Sequence, residues 1–245
     1  MSNTINGFNP ANCNMLNIAV HKDILLRILR DIYSDESMGP ILGFKGGTAA
    51  YLFYGLDRFS VDLDFDLLDA DKEEYIFNQI KEIIREYGTI KDARAKRFNL
   101  FFLLSYDNKK EGAQNIKVEI NRRGFDSRYE LRSFMGIPMN VAVQEDMFAC
   151  KLVAMYERLG RTNRDIYDVW FFGKNMWTIN RKIVEKKSKM PYGEFLDEIL
   201  KKLEKLNSKR ILDGLGELLN EKQKDWVRKN LLKEVIFNIK LMARQ

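Results

Sequence analysis

Apolar side chains recur at helical spacing over residues 17–33, where Ile24, Ile28 and Leu29 lie together with Leu25 and Ile32 beside them, and this predicts a helix. Ser34 to Pro40 reads as a loop. A short apolar run, Ile41 to Phe44, leads into Lys45–Gly46–Gly47–Thr48, and residues 48–54 are again helical, with the Thr48 hydroxyl as a cap. From Ser60 to Leu67 polar and apolar residues alternate strictly, the period of a strand with one buried face. Helical spacing returns over 72–87. Residues 97–106 form an apolar run suited to a central strand, 115–122 alternate with Lys117, Glu119 and Asn121 on one face, and 137–143 predict a further short strand. From Glu145 the pattern is helical to the end. Phe148, Leu152, Met155 and Leu159 form one stripe, with Lys151, Ala154 and Arg158 on the neighbouring face. A second helix over 163–173 buries Ile166, Val169 and Trp170. Lys- and Leu-rich helices follow over 179–243, punctuated by Pro191, Gly214 and Gly216. The expectation is an α/β (α+β) chain with a mixed-sheet lobe over 1–143 and an all-helical lobe over 144–245.

Composition agrees with a globular chain. The 245 residues are 45% hydrophobic and 31% charged, and a chain of this length buries roughly 70% of its unfolded surface without staples. Cys13 and Cys150 make no disulfide framework or zinc knuckle, and Cys150 reads as a buried thiol. His21 is the one histidine, and it reads as a helix-surface residue; a His-ligated zinc site or a Ser–His–Asp triad would need it or others. Met1 to Asn17 is polar, without a signal-peptide pattern, and no apolar run approaches the ~20 residues of a membrane span. These features predict a cytoplasmic protein with no membrane partner. A net charge of +6 permits a polyanion such as RNA or a nucleoside triphosphate.

Five groups of residues carry candidate chemistry. Asp62 and Asp64 share one side of the predicted strand, about 7 Å apart from strand rise. Their repulsion suits a magnesium ion, because hard cations take carboxylate oxygens, and two such ions clamp attacking and leaving oxygens in phosphoryl transfer. Asp66 continues that face and reads as a solvated edge residue. Gly46–Gly47–Thr48 precedes a helix start, where exposed N–H groups hold anions, although the spacing is neither a P-loop nor a dinucleotide fingerprint. Glu119 is a third carboxylate, either a metal ligand or an ion-pair partner of Lys117. Lys151 either snorkels to the surface or points its ammonium at a triphosphate. Asp165 and Asp168 share a face of the next helix, with Arg161 and Arg164 flanking them, and surface ion pairing is the plain alternative.

Together these segments resemble one family. Phe44 to Ala49, Gly55 and Arg58 to Phe65 resemble the first motif of the AbiEii/AbiGii toxin family, minimal nucleotidyltransferases of the DNA polymerase β type. Lys117 to Asn121 is similar to that family's second acidic strand, and Asp146 to Arg158 with Arg164 to Asp168 is similar to its helical motif. The resemblance spans about residues 40 to 172. It implies a nucleotidyltransferase-type mixed sheet, with Gly46, Gly47, Thr48 and Ser60 binding the nucleotide. Asp62 and Asp64 would hold magnesium, commonly two ions, with Glu119 as third acid and base. Lys151 would contact the phosphates, and Asp165 or Asp168 would be essential. It further implies an NTP substrate, a tRNA 3′ end as acceptor, an antitoxin partner and modification at Ser60. The basic tail, with Lys186, Lys187, Lys201 and Lys202, is expected to cradle the acceptor's phosphates. Nucleotidylation of a protein hydroxyl, a non-catalytic binding module and a DxD glycosyltransferase are the alternatives.

Overall fold

The computed structural model describes residues 17–106, 114–124 and 126–244; Cys13 lies outside these. In chain order the elements begin with α1 (Ile18–Ser34), β1 (Leu42–Lys45), α2 (Gly46–Phe53), β2 (Leu63–Leu67) and α3 (Glu73–Arg85). Five strands follow: β3 (Thr89–Ala95), β4 (Asn99–Tyr106), β5 (Gln114–Asn121), β6 (Tyr129–Phe134) and β7 (Ile137–Ala142). The chain then turns helical, with α4 (Gln144–Arg158), α5 (Arg164–Lys174), α6 (Arg181–Ser188), α7 (Tyr192–Glu204), α8 (Glu221–Trp226) and α9 (Leu232–Met242). A π-helical turn, Val227–Leu231, joins the last two.

Among the described residues seven strands form one sheet, in the order β3-β4-β5-β2-β1-β7-β6. The short β2 lies at its centre, antiparallel to β1 and parallel to β5. Its alternation does the positioning. Leu63 and Phe65 are fully buried on one face, where Phe65 meets Tyr33 of α1, and Phe102 of β4 meets Phe77 of α3. Burying each such side chain contributes about 1.5–3 kcal/mol, so this face fixes the register. The same register turns Asp64 and Asp66 to the other face, which α4 overlooks.

Two strands were invisible to the pattern. β3 and β6 lie at the two edges of the sheet, each with one strand neighbour and largely exposed or half-buried side chains, so neither needs a clean alternation. The strand expected from Ser60 begins at Leu63 instead. Ser60 turns in beside Gly47, and the carbonyl of Asp62 accepts the Thr48 hydroxyl.

The helices after the last strand lean on the sheet lobe through Arg58–Asp168 and through Phe59 N–H, which donates to the carbonyl of Leu218. No described helix is long and apolar enough to cross a membrane.

Candidate active site

A cleft of about 350 Å³ opens between the carboxylate face of the sheet and helices α4–α6. Gly46 opens α2 with φ +82°, and an added Cβ would lie 2.5 Å from Asp64 Oδ2. Left-handed backbone and close approach both demand glycine there. A Cβ on Gly47 would lie 2.7 Å from Ser60 Oγ. The turn is therefore seated on Asp64 and Ser60, and all four residues line the cleft.

Sheet register brings the acids together. Asp64 stands opposite Lys45 on β1 and Glu119 on β5, while Asp66 stands opposite Gly43 and Asn121. Glu119 accepts from Asn99 at 2.5 Å and from Lys117 at 2.6 Å. The Lys117 ammonium also lies 3.5 Å from Asp62, and Arg164 lies 3.4 Å from the same carboxylate. Burial alone would favour deprotonating Lys117, but Asp64, Asp62 and Glu119 outweigh it and hold its pKa above the ordinary lysine value. Asp62 and Glu119 thus share an internal cation, and no group of three acidic, histidine or cysteine side chains is gathered tightly around one point among the described residues.

A buried ionic cluster backs the cleft. Asp165 and Asp168 are fully buried on α5. Lys151 reaches both, at 3.1 and 2.8 Å. Arg58 grips Asp168 with two parallel hydrogen bonds of 2.6 and 2.7 Å, the strong bidentate form. Burial would raise the Asp168 pKa, yet Arg58 and Lys151 hold it at about 2. Arg158 stands 2.8 Å from Asp165 Oδ2 as an ion pair without hydrogen-bond alignment.

The chain as a whole is similar to known proteins. The family model described as the nucleotidyl transferase AbiEii toxin of type IV toxin–antitoxin systems matches residues 27–230. The chain belongs to the AbiEii nucleotidyltransferase toxin family. No curated protein matches it in sequence. An H. pylori protein assigned as a nucleotidyltransferase aligns with TM-score 0.62 and 21% identity, covering 94% of this chain and 96% of its own. The JHP933 protein of Helicobacter pylori aligns with TM-score 0.57 and 20% identity, over 94% and 97% of the two chains. The nucleotidyltransferase toxin MenT4 of Mycobacterium tuberculosis aligns with TM-score 0.51 and 20% identity, covering 91% of each. These structural neighbours share the nucleotidyltransferase fold.

Within this AbiEii fold the residues singled out from sequence fall in three groups. Gly46, Gly47, Ser60, Asp62, Asp64, Glu119 and Lys151 line the cleft. Thr48 sits behind it, 1% exposed, with its hydroxyl committed to the Asp62 carbonyl. Asp165 and Asp168 lie beneath Lys151 rather than in surface ion pairs, because two buried carboxylates require the cations that meet them there. Asp66 is not a solvated edge residue either: Lys45, Asn121 and Tyr129 all donate to it. The Tyr129 ring lies across Gly43, where a Cβ would come within 2.2 Å of it. Cys150 is half-buried on the cleft wall rather than enclosed.

His21 is the clearest correction. It is 1% exposed, with Nε2 2.9 Å from the Val61 carbonyl and Nδ1 2.5 Å from the Tyr106 hydroxyl. It holds the backbone just before Asp62. Sequence reasoning gave Arg58 no role of its own, since its partner lies 110 positions away and no local pattern announces it. Of the four tail lysines, Lys187 lines the cleft, while Lys186 pairs with Asp126, Lys201 with Glu198, and Lys202 lies over the Tyr156 ring.

Proposed function

We propose that this AbiEii-family chain transfers a nucleoside monophosphate from an NTP to the 3′-terminal hydroxyl of a tRNA. The observation that carries this reading is the glycine turn of α2 seated on Asp64, with Asp62 and Glu119 beside it in one basic-walled cleft. The Gly46–Gly47 turn and Ser60 receive the triphosphate. Asp62 and Asp64, with Glu119, would hold magnesium; carboxylates are the oxygen donors a hard divalent ion takes, and two of these three, Asp62 and Glu119, already meet a cation in Lys117. Magnesium, when bound, supplies neutralisation of the triphosphate and of the charge that develops in transfer.

The chain's own groups do the rest. The acceptor hydroxyl attacks the α-phosphorus, a new O–P bond forms, the α–β bridging bond breaks, and pyrophosphate leaves. Glu119 accepts the hydroxyl proton. Lys151, held from below by Asp165 and Asp168, stabilises charge on the departing pyrophosphate, and positioning with such stabilisation carries most of phosphoryl transfer. Asp168 is the essential acid of the α5 pair, because it orients both Lys151 and Arg58. An antitoxin partner and a cytoplasmic site of action belong to the same reading.

Incubation with each labelled NTP, magnesium and either total tRNA or total protein tests it. Label is expected in tRNA and lost by at least about 100-fold, a misplacement-sized effect or greater, in the Asp62→Ala, Asp64→Ala variant. Label in protein would move the acceptor to a side-chain hydroxyl. The absence of both transfer and NTP binding would overturn the reading.

A further inference from the structure

Beyond Asp64 the cleft continues into a second chamber of about 370 Å³ that shares Lys45, Asp64, Glu119, Arg123 and Lys187 with the first. Its far wall is Phe98, in the turn between β3 and β4. This phenylalanine is 45% exposed. Two guanidinium groups lie over that ring, Arg97 at 4.9 Å and Arg123 at 4.8 Å. Arg97 makes no ion pair among the described residues, and Lys187 lines the chamber opposite.

We propose that this arginine–phenylalanine platform receives the terminal unpaired base of a single-stranded RNA acceptor and delivers its 3′ hydroxyl past Glu119. The proposal rests on the nucleotidyl-transfer reading above and specifies its acceptor site. The direction follows from in-line displacement, which places attacking and leaving oxygens on opposite sides of phosphorus. Pyrophosphate leaves on the side of the glycine turn, which β1 and α2 supply. The attacker therefore enters from the β5 side of Asp64, and the Phe98 chamber opens on that side. Exposed aromatic rings and guanidinium planes are what unstacked bases bind, and the flanking cations meet the backbone phosphates. Because stacking reads a π-face rather than a base edge, the platform tolerates any terminal base.

The test uses the full chain with Phe98→Ala, Phe98→Trp and Arg97→Ala. The probe is a short single-stranded RNA ending in 2-aminopurine, whose fluorescence is quenched on stacking. Wild type and Phe98→Trp are expected to quench it. Phe98→Ala is expected to lose the quench and raise the acceptor KM about 10-fold, the scale of one lost base stack, with NTP affinity unchanged. Arg97→Ala is expected to flatten the salt dependence of RNA binding by about one phosphate contact. Unchanged quench and acceptor KM in Phe98→Ala, with NTP affinity retained, overturn the platform while leaving nucleotidyl transfer intact. If wild type labels no RNA, the transfer reading fails separately, and loss or retention of the quench still decides whether Phe98 binds a base.

Discussion

His21 shows how far one residue carries meaning. Its spacing to Leu25, Ile28 and Ile32 is that of the buried stripe of α1, so periodicity contained its burial, but a single polar side chain on a helix reads as surface. What periodicity does not contain is its pair of partners, Val61 and Tyr106, supplied by distant strands and loops. Burial depresses the imidazole pKa below 6.5. The unfolded chain therefore takes up a proton near pH 6.5 that the folded chain refuses. Stability is full above that pH and is lost as pH falls toward the depressed folded value. Urea unfolding from about pH 8 to about pH 5 is expected to show this decline, and His21→Gln to flatten it.

At the scale of elements, the legible parts were those with a buried face. α1, α3, β4, β5 and α4 begin and end within a few residues of where their apolar periods do. The edge strands β3 and β6 were silent, since they bury too little to impose a pattern. The candidate site was legible where the chain must spend unusual residues locally, at Gly46–Gly47 and at the Asp62–Asp64 pair. The Lys117–Glu119 pair was legible as one of two readings, but the site was illegible where it depends on sheet register, as in the approach of Lys117 to Asp62, or on helix docking, as with Arg58 and Asp168. The α2 turn offers the sharpest test at this scale. Gly46→Ala puts a methyl group against Asp64 in left-handed backbone, a strain of about 1–3 kcal/mol. Nucleotidyl transfer is expected to fall about 100-fold through displaced Asp64, and thermal melting is expected to show a lower midpoint.

For the whole molecule, the sequence suggested lobes over 1–143 and 144–245, and the contacts between them bear on how they unfold. Arg58 and Asp168 are 2% and 0% exposed, Tyr167 donates to Asp57 at 2.8 Å, and Gln223 donates to the Asp57 carbonyl at 2.6 Å. Removing one member of a buried pair strands the other charge, typically at about 3–5 kcal/mol. Asp168→Ala is therefore expected to cost that much in denaturant unfolding, with the whole chain still melting in one transition. Two separate transitions in the wild-type protein would show lobes that fold independently.

The Tyr129 ring lying over Gly43 has a consequence for inheritance. Position 43 has no room for even a methyl group while a tyrosine occupies 129, and that tyrosine is one of the donors that hold Asp66. A side chain at 43 evicts the ring, and losing the ring leaves Asp66 to Lys45 and Asn121 beside the cleft. Among descendants of this sequence the two positions should change together, with any bulk gained at 43 accompanied by a smaller residue at 129 and a replacement partner for Asp66.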